Sequence, residues 1–355
     1  MPQEVFPHAY TEFQPIEEVL VGKSYSPKVL DRAANSMSST TKRLLTYLLD
    51  ETEEDYQNFI NVLETYGATV YRPKYPETFL EETSRYLKDW DICLMNPRDH
   101  LIVLDNKIII SNGRKNLVKS FIVPLKKYAK YCRFDARSTQ LACPSIIRLG
   151  KDIIIDNNKG ANTEQAYNYI KDLLEPKGYN IIYTKTHNFK FKAEGCHSDG
   201  VFAVLKPGVL LTLKPKYMYT DGIFPNWDTC SLVEESWKKM GSWIHLKKLM
   251  VNKQINSSYC FNDKKYNDKE FYNYINTWLS HWVGYAKETV FDVNVFSLDE
   301  HHVCVSNYNK KAFNYFKKHK IEPIIIPWRH RYFWDGGLHC STLDIKRKGN
   351  VESYL

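Results

Sequence analysis

At 355 residues, with 43% hydrophobic and 25% charged side chains, the chain has the composition of a folded globular protein, which excludes a disordered one. Its 49 basic and 41 acidic residues are dispersed, so the net charge of +8 signals solubility and mild attraction for anions, with no basic stripe dense enough for nucleic acid. No apolar run approaches the roughly eighteen residues that span a bilayer, and the eight cysteines, widely spaced without a Cys-x-x-Cys pair, follow an N-terminus that lacks leader-like regions; we therefore expect a reduced, cytoplasmic setting and no membrane partner.

In chain order, Glu17 to Gly22 reads as a buried strand ended by glycine. Thr52 to Asp55 has the form of a capping box, and Tyr56, Phe59, Ile60, Leu63 and Tyr66 then fall on one helical face before Ala68 to Arg72 returns as a strand. His100 to Leu104 and Lys107 to Ile110 flank Asp105-Asn106 as a hairpin, followed by a helix over Leu117 to Tyr131. Ser145 to Leu149 and Asp152 to Ile155 form a second hairpin around Gly150-Lys151, with a helix through Ala166 and Leu174 and a strand from Tyr179 to Thr184. A third hairpin pairs Val201 to Leu205 with Val209 to Thr212 and precedes a helix from about Ser231 to Gly241. The fourth pairs Val293 to Leu298 with Val303 to Ser306, then a helix carrying Ala312, Phe313 and Phe316, then Pro323 to Ile326.

If the C-terminal strand near Leu338 to Ile345 partners the N-terminal one, the chain holds five units of two strands, a helix and a further strand. Five like units, the first completed by the last strand, predict a closed, propeller-like α/β ring, because neighbouring units must cover one another's apolar faces. An ordinary mixed α/β sheet is the alternative that periodicity leaves open. Residues 251–290, rich in Asn, Lys and Tyr, fit the repeat poorly and read as an insertion or elaborated loop in a single domain spanning 1–355.

Three clusters could carry chemistry. Gly336-Gly337-Leu338-His339-Cys340 places a thiol just beyond two glycines, where the backbone can bend or approach closely. It reads equally as a glycine turn into a last strand with a buried structural Cys. In Glu194-Gly-Cys-His197-Ser-Asp199-Gly, a His and an Asp two apart point the same way if the segment is extended, although a surface loop is the plainer reading. Asn96-Pro97-Arg98-Asp99 delivers Asp99 to the mouth of the first hairpin. Zinc held by Cys196, His197, His339 and Cys340 is disfavoured, since both pairs are adjacent residues and structural zinc sites use wider spacing.

Taken together, Asn96-Pro97-Arg98-Asp99, His197-x-Asp199-Gly200-Val201-Phe202, Pro207-Gly208 and Gly336-Gly337-Leu338-His339-Cys340-x-Thr342-x-Asp344 resemble the arginine:glycine amidinotransferase family over nearly the whole chain. The resemblance implies the five-bladed, pseudo-symmetric α/β propeller of ββαβ units called the pentein fold. It also implies transfer of the amidino group of L-arginine to a primary amine through an amidino-cysteine, with ornithine released. Cys340 would be the nucleophile, His197 the general acid and base, and Asp99 and Asp199 the carboxylates that hold the guanidinium. Ping-pong chemistry of this kind uses no metal or organic cofactor. The partners are small molecules, and a homodimer is one option for the assembly. The imidazolium and the local field are expected to lower the thiol's pKa, since the neutral thiol is a poor nucleophile.

Two positions depart from the pattern. Where the family has an acid that orients the catalytic His, alignment from Arg148 places Ala142, so Glu194 or Asp135 is a candidate replacement. Lys216 falls where the family grips the donor's carboxylate with an Arg, and Arg329 matches a family Arg that could help. A hydrolase of the same fold, or a catalytically impaired scaffold, are the alternatives that Ala142 raises. Trp328, Tyr332, Phe333 and Trp334 could line an acceptor pocket or belong to the core.

Overall fold

The computed structural model describes residues 5–24, 39–74, 94–111, 115–134, 141–157, 162–184, 197–213, 222–232, 292–331 and 336–355. The first strand, β1 (Ile16–Val21), runs into helix α1 (Ser39–Thr65) and the short strand β2 (Thr69–Tyr71). Four similar units follow. The first is β3 (Leu101–Leu104), β4 (Lys107–Ile110), α2 (Lys115–Ile122) and β5 (Cys132–Phe134); the second is β6 (Ile146–Leu149), β7 (Asp152–Asp156), α3 (Glu164–Leu174) and β8 (Asn180–Thr184). Next come β9 (Phe202–Lys206), β10 (Val209–Thr212) and β11 (Asp228–Ser231), then β12 (Phe296–Ser297), β13 (His302–Val305), α4 (Lys310–Lys318) and β14 (Glu322–Ile325). The last strand is β15 (Thr342–Arg347).

These strands form five three-stranded sheets, each an antiparallel hairpin with a third strand added in parallel after the crossover. The N-terminal sheet follows the same plan only because β15 supplies the antiparallel partner of β1, pairing Val21 with Thr342 and Val19 with Asp344. The hairpin strands are apolar without alternation because they are buried on both faces: every residue of β3 and β6 is inaccessible, and so is all of β4 beyond Lys107. What covers those faces is the next sheet. Leu20 and Leu343 share a cluster with Val103 and Ile108; Ile102 and Ile109 share the next with Ile153 and Ile155. Ile154 then packs with Val204 and Leu210, and Leu211 with Val303 and Val305. The ring closes where Ile16 N donates to Leu298 O at 2.8 Å and Arg347 Nη2 to Ser297 O at 2.8 Å. The architecture is the five-bladed α/β propeller, the pentein fold.

Several local expectations need correction. The capping box at Thr52 does not start a helix: α1 begins thirteen residues earlier, at Ser39, and Thr52 Oγ1 donates to Leu48 O at 2.7 Å. A threonine inside a helix can bond back to the carbonyl four residues earlier, so the short pattern is ambiguous. The helix expected over Leu117 to Tyr131 ends at Ile122, and Pro124 turns the remainder into 3-10 geometry through Tyr131. Ser231 closes a strand rather than opening a helix, and the rest of that expected helix lies outside the described residues, as does 251–290. Trp328 is core: it is 4% exposed and edges onto Tyr56 and Phe59 of α1, with Nε1 donating to Gly336 O.

Candidate active site

Each antiparallel strand pair is preceded by a short turn, and four of these five turns carry the polar residues of one site. Asp99 ends the 3-10 turn Pro97–Asp99 that leads into β3, and Cys143–Ser145 leads into β6. Asp199 lies in Ser198–Gly200 ahead of β9, with His197 as the extended residue that begins that turn. Asn294 stands two residues before β12, and Cys340 two before β15. The turns touch one another: Ser198 N donates to Ser145 Oγ at 3.1 Å, Arg98 Nε to His339 O at 2.9 Å, and Asn294 Nδ2 to Asp199 O at 3.0 Å. Pseudo-symmetry thus brings equivalent positions of the repeat to one end of the ring. The two glycines are what let the last turn approach: a Cβ on Gly336 would lie 2.5 Å from Asn96 Oδ1, and one on Gly337 2.5 Å from Asn294 Oδ1.

Cys340 is 7% exposed. Its Sγ lies 3.2 Å from Asp199 Oδ2 and 3.1 Å from Asn294 Nδ2. Asp199 Oδ2 also receives His339 Nδ1 at 2.9 Å, while Asp199 Oδ1 is buried with no hydrogen-bond partner among the described residues. Burial alone would raise the Asp199 carboxyl, but the hydrogen bond and charge of His339, with His197 and the Cys340 thiol behind them, hold it below the usual range. His197 Nδ1 faces Asp99 Oδ1 at 3.6 Å, an ion-pair distance rather than a hydrogen bond. His100, stacked on Phe121 at 5.6 Å, is lowered to about 4, by desolvation first and by the charge of His197 second, and so stays neutral beside it.

The structure therefore brings Cys340, Asp199, Asp99 and His197 together. It does not supply the expected lowering of the thiol's pKa. Burial pushes Cys340 well above the ordinary thiol value, and the negative charges of Asp199 and Asp99 push it further. Arg329 is engaged elsewhere: its guanidinium binds Asp55 Oδ1 at 2.8 Å and Glu51 Oε1 at 3.2 Å, pinning the strand-to-glycine segment to α1. This corrects its assignment to the donor's carboxylate, because the fork is occupied by the helix's own acids. Lys216, Glu194 and Asp135 lie outside the described residues.

Beneath the site sits a second set of charges that sequence reading did not assign. Asp344 Oδ1 accepts from Arg98 Nη2 at 2.8 Å, and its Oδ2 accepts from Arg148 Nη2 at 2.7 Å and Arg347 Nε at 2.8 Å. Arg148 also grips Glu12 with Nε and Nη2, both at 2.8 Å, and Glu12 Oε2 meets His339 Nε2 at 3.2 Å. His339 is thereby clamped between Glu12 and Asp199. Asp344, Arg98 and Arg148 all fall inside or beside the sequence motifs, but only the fold shows that they meet. Asn294 left a fainter signal, a lone polar residue in the apolar run Val293 to Phe296.

A thiol, an imidazole and two carboxylates thus meet on the leading turns of three blades of a pentein-fold protein. Comparison with known proteins narrows the class. No family model matches the chain. The L-arginine:L-lysine amidinotransferase of Pseudomonas savastanoi pv. phaseolicola is 26% identical over 209 residues; the match takes in 59% of this chain and less than half, 44%, of that relative. The mitochondrial glycine amidinotransferase of Xenopus tropicalis is 21% identical across 98% of this chain and 84% of its own length. The inosamine-phosphate amidinotransferase of Streptomyces griseus superposes with a TM-score of 0.64 at 16% identity, covering 99% of both chains. The chain shares its fold with these amidinotransferases and resembles them in sequence.

Proposed function

We propose that the protein is an enzyme that moves the amidino group of L-arginine to a primary amine through a covalent amidino-cysteine, releasing ornithine. The observation that carries this reading is Asp199. One of its oxygens holds the thiol and His339, while the other is a buried acceptor that no described residue satisfies. A buried carboxylate oxygen left unpaired is costly, and a guanidinium bound beside Sγ would satisfy it with a charge-assisted hydrogen bond.

In this scheme Asp199 and Asp99 bind the planar guanidinium and hold its carbon against Cys340. The bound cation offsets the two negative charges that otherwise raise the thiol's pKa, so the substrate itself favours the thiolate. Sulfur attacks the guanidinium carbon; the carbon to side-chain nitrogen bond then breaks, and His197 gives its proton to the departing amine of ornithine. The acceptor amine attacks the amidino-cysteine, His197 takes back a proton, and the thiolate leaves. No metal or organic cofactor enters these steps.

Labelled arginine with a panel of primary amines tests the reading. Turnover to ornithine and a new guanidino product should require an amine, with no more than a single equivalent of ornithine released without one, and Cys340→Ser should abolish both. Citrulline or urea formed without an added amine would replace transfer by hydrolysis. Absence of an amidino adduct on Cys340 by mass spectrometry after arginine alone would remove the covalent scheme.

A further inference from the structure

We propose that Asn294 is a catalytic residue, the side-chain amide that hydrogen-bonds the Cys340 sulfur and stabilises it as a thiolate while it attacks the guanidinium carbon and again when it leaves. This deepens the proposed function and rests on Cys340 being the nucleophile.

Two main-chain groups fix which way the amide points. Cys340 N donates to Asn294 Oδ1 at 3.1 Å, and Asp199 O accepts from Asn294 Nδ2 at 3.0 Å. A backbone N–H can only donate and a backbone carbonyl only accept, so the amide cannot be reversed. Nδ2 must be the atom that lies 3.1 Å from Sγ, and it must present a hydrogen to it. The thiol's own proton goes the other way, to Asp199 Oδ2 at 3.2 Å.

The surroundings give that donor its importance. Burial and the charges of Asp199 and Asp99 all disfavour the thiolate. The two imidazoles at the site face carboxylates: His339 lies between Asp199 and Glu12, and His197 faces Asp99. Among the described residues, the side-chain donor on Sγ is therefore the Asn294 amide, which is itself 1% exposed and shielded from competing water, and the Gly337 main chain acts on the sulfur in the same direction. A neutral donor also suits a cationic substrate. A Lys or Arg in its place would favour the thiolate but repel the guanidinium that the sulfur must attack. Gly337 is part of the same device, since a side chain there would displace the Asn294 amide.

Three substitutions separate the donor from the rest of the residue. Asn294→Asp keeps the acceptor for Cys340 N and loses the donor to sulfur. Asn294→Ser offers a shorter donor, and Asn294→Ala offers none. The readout is the rate of iodoacetamide alkylation at Cys340 between roughly pH 6 and 11, followed on the Cys340 peptide by mass spectrometry, with thermal melting as the check on folding. The apparent thiol pKa should rise by about one unit in Asn294→Ala and further in Asn294→Asp, with Asn294→Ser between wild type and Ala. Folded variants that share the wild-type profile, or Ser and Ala variants that coincide, would overturn the proposal. In the unmodified protein, the Asn294 side-chain nitrogen-15 signal should move with the midpoint of alkylation; a signal indifferent to pH there overturns it whatever the variants do. Arginine is absent from these measurements. A shifted profile in a protein that never turns over arginine would therefore remove the proposed function and leave the role of the amide standing.

Discussion

Two carboxylate clusters lie back to back in this ring, joined by His339, and they are treated in opposite ways. In the inner cluster Glu12 and Asp344 meet the guanidinium groups of Arg98, Arg148 and Arg347, and burial that would raise both acids is overcome by those cations, leaving each far below the ordinary carboxylate range. In the outer cluster, Asp199 keeps a buried oxygen without a hydrogen-bond partner among the described residues, and the nearby thiol is pushed away from its reactive form. The two clusters thus contrast acids paired with built-in guanidinium groups and an acid that keeps an open acceptor among the described residues. Under the proposed function, the substrate's guanidinium would give Asp199 the kind of partner that the inner acids already hold.

Removing a charge from each cluster should break that contrast in opposite currencies. Asp344→Asn strips the centre from the inner network and leaves three buried guanidinium groups short of their acid, so we expect a loss of about 3–5 kcal/mol in denaturant unfolding. The pH dependence follows in sign. Asp344 and Glu12 stay ionised in the fold well below the value at which the unfolded chain's carboxylates protonate, about 4, so their contribution is present above that pH and is lost as pH falls towards their depressed folded values. Wild-type stability should fall more steeply below about pH 4 than that of Asp344→Asn, for which one of the two acids is gone.

Asp199→Asn should do the reverse. It should cost less than half as much stability, because His339 keeps an acceptor, yet lower kcat/KM for arginine by about a hundredfold through the loss of one charge-assisted partner for the guanidinium. It should also move the alkylation profile of Cys340 to lower pH, since this carboxylate is one of the groups that raise the thiol. A profile that stays in place would mean that burial alone governs the sulfur.

The difference between the clusters also marks what was legible in the chain. The blades were readable because the hairpins are mainly apolar runs around a turn, as at Ile102 to Ile110 and Ile146 to Ile155, and burial on both faces leaves little else for such runs to do. Cys340, His197, Asp99 and Asp199 were readable because each sits in a short motif. Asn294 and Glu12 were not, because a single Asn in a strand-like run and a single Glu near the N-terminus acquire meaning only when the ring brings blades five and one against the last turn. Arg329 misled for a related reason. A lone Arg ahead of a glycine pair carries no mark of whether its fork will meet a substrate or the acids of α1, and here it met Asp55 and Glu51.

The smallest expected effect concerns the leading turn that gives the site no side chain to hold His197. Ala142, which stands where the resemblance places an orienting acid, has both main-chain groups held by Asn162, its N at 2.9 Å from Oδ1 and its O at 3.2 Å from Nδ2. The same turn contacts that of His197 through Ser145 Oγ, so Ala142→Asp would return a carboxylate to the blade beside the imidazole without disturbing a main-chain bond. His197 faces Asp99 at 3.6 Å, so under the proposed function one carboxylate would both steady the general acid and bind the guanidinium. Dividing those duties should raise kcat by a few-fold, about tenfold at most, and lower KM for arginine as Asp99 is released to the substrate. Steady-state kinetics of the folded variant decide the point. A kcat that stays level or falls would show that the Asp99 contact already suffices for His197, and that the Cys143–Ser145 turn is there to brace its neighbours.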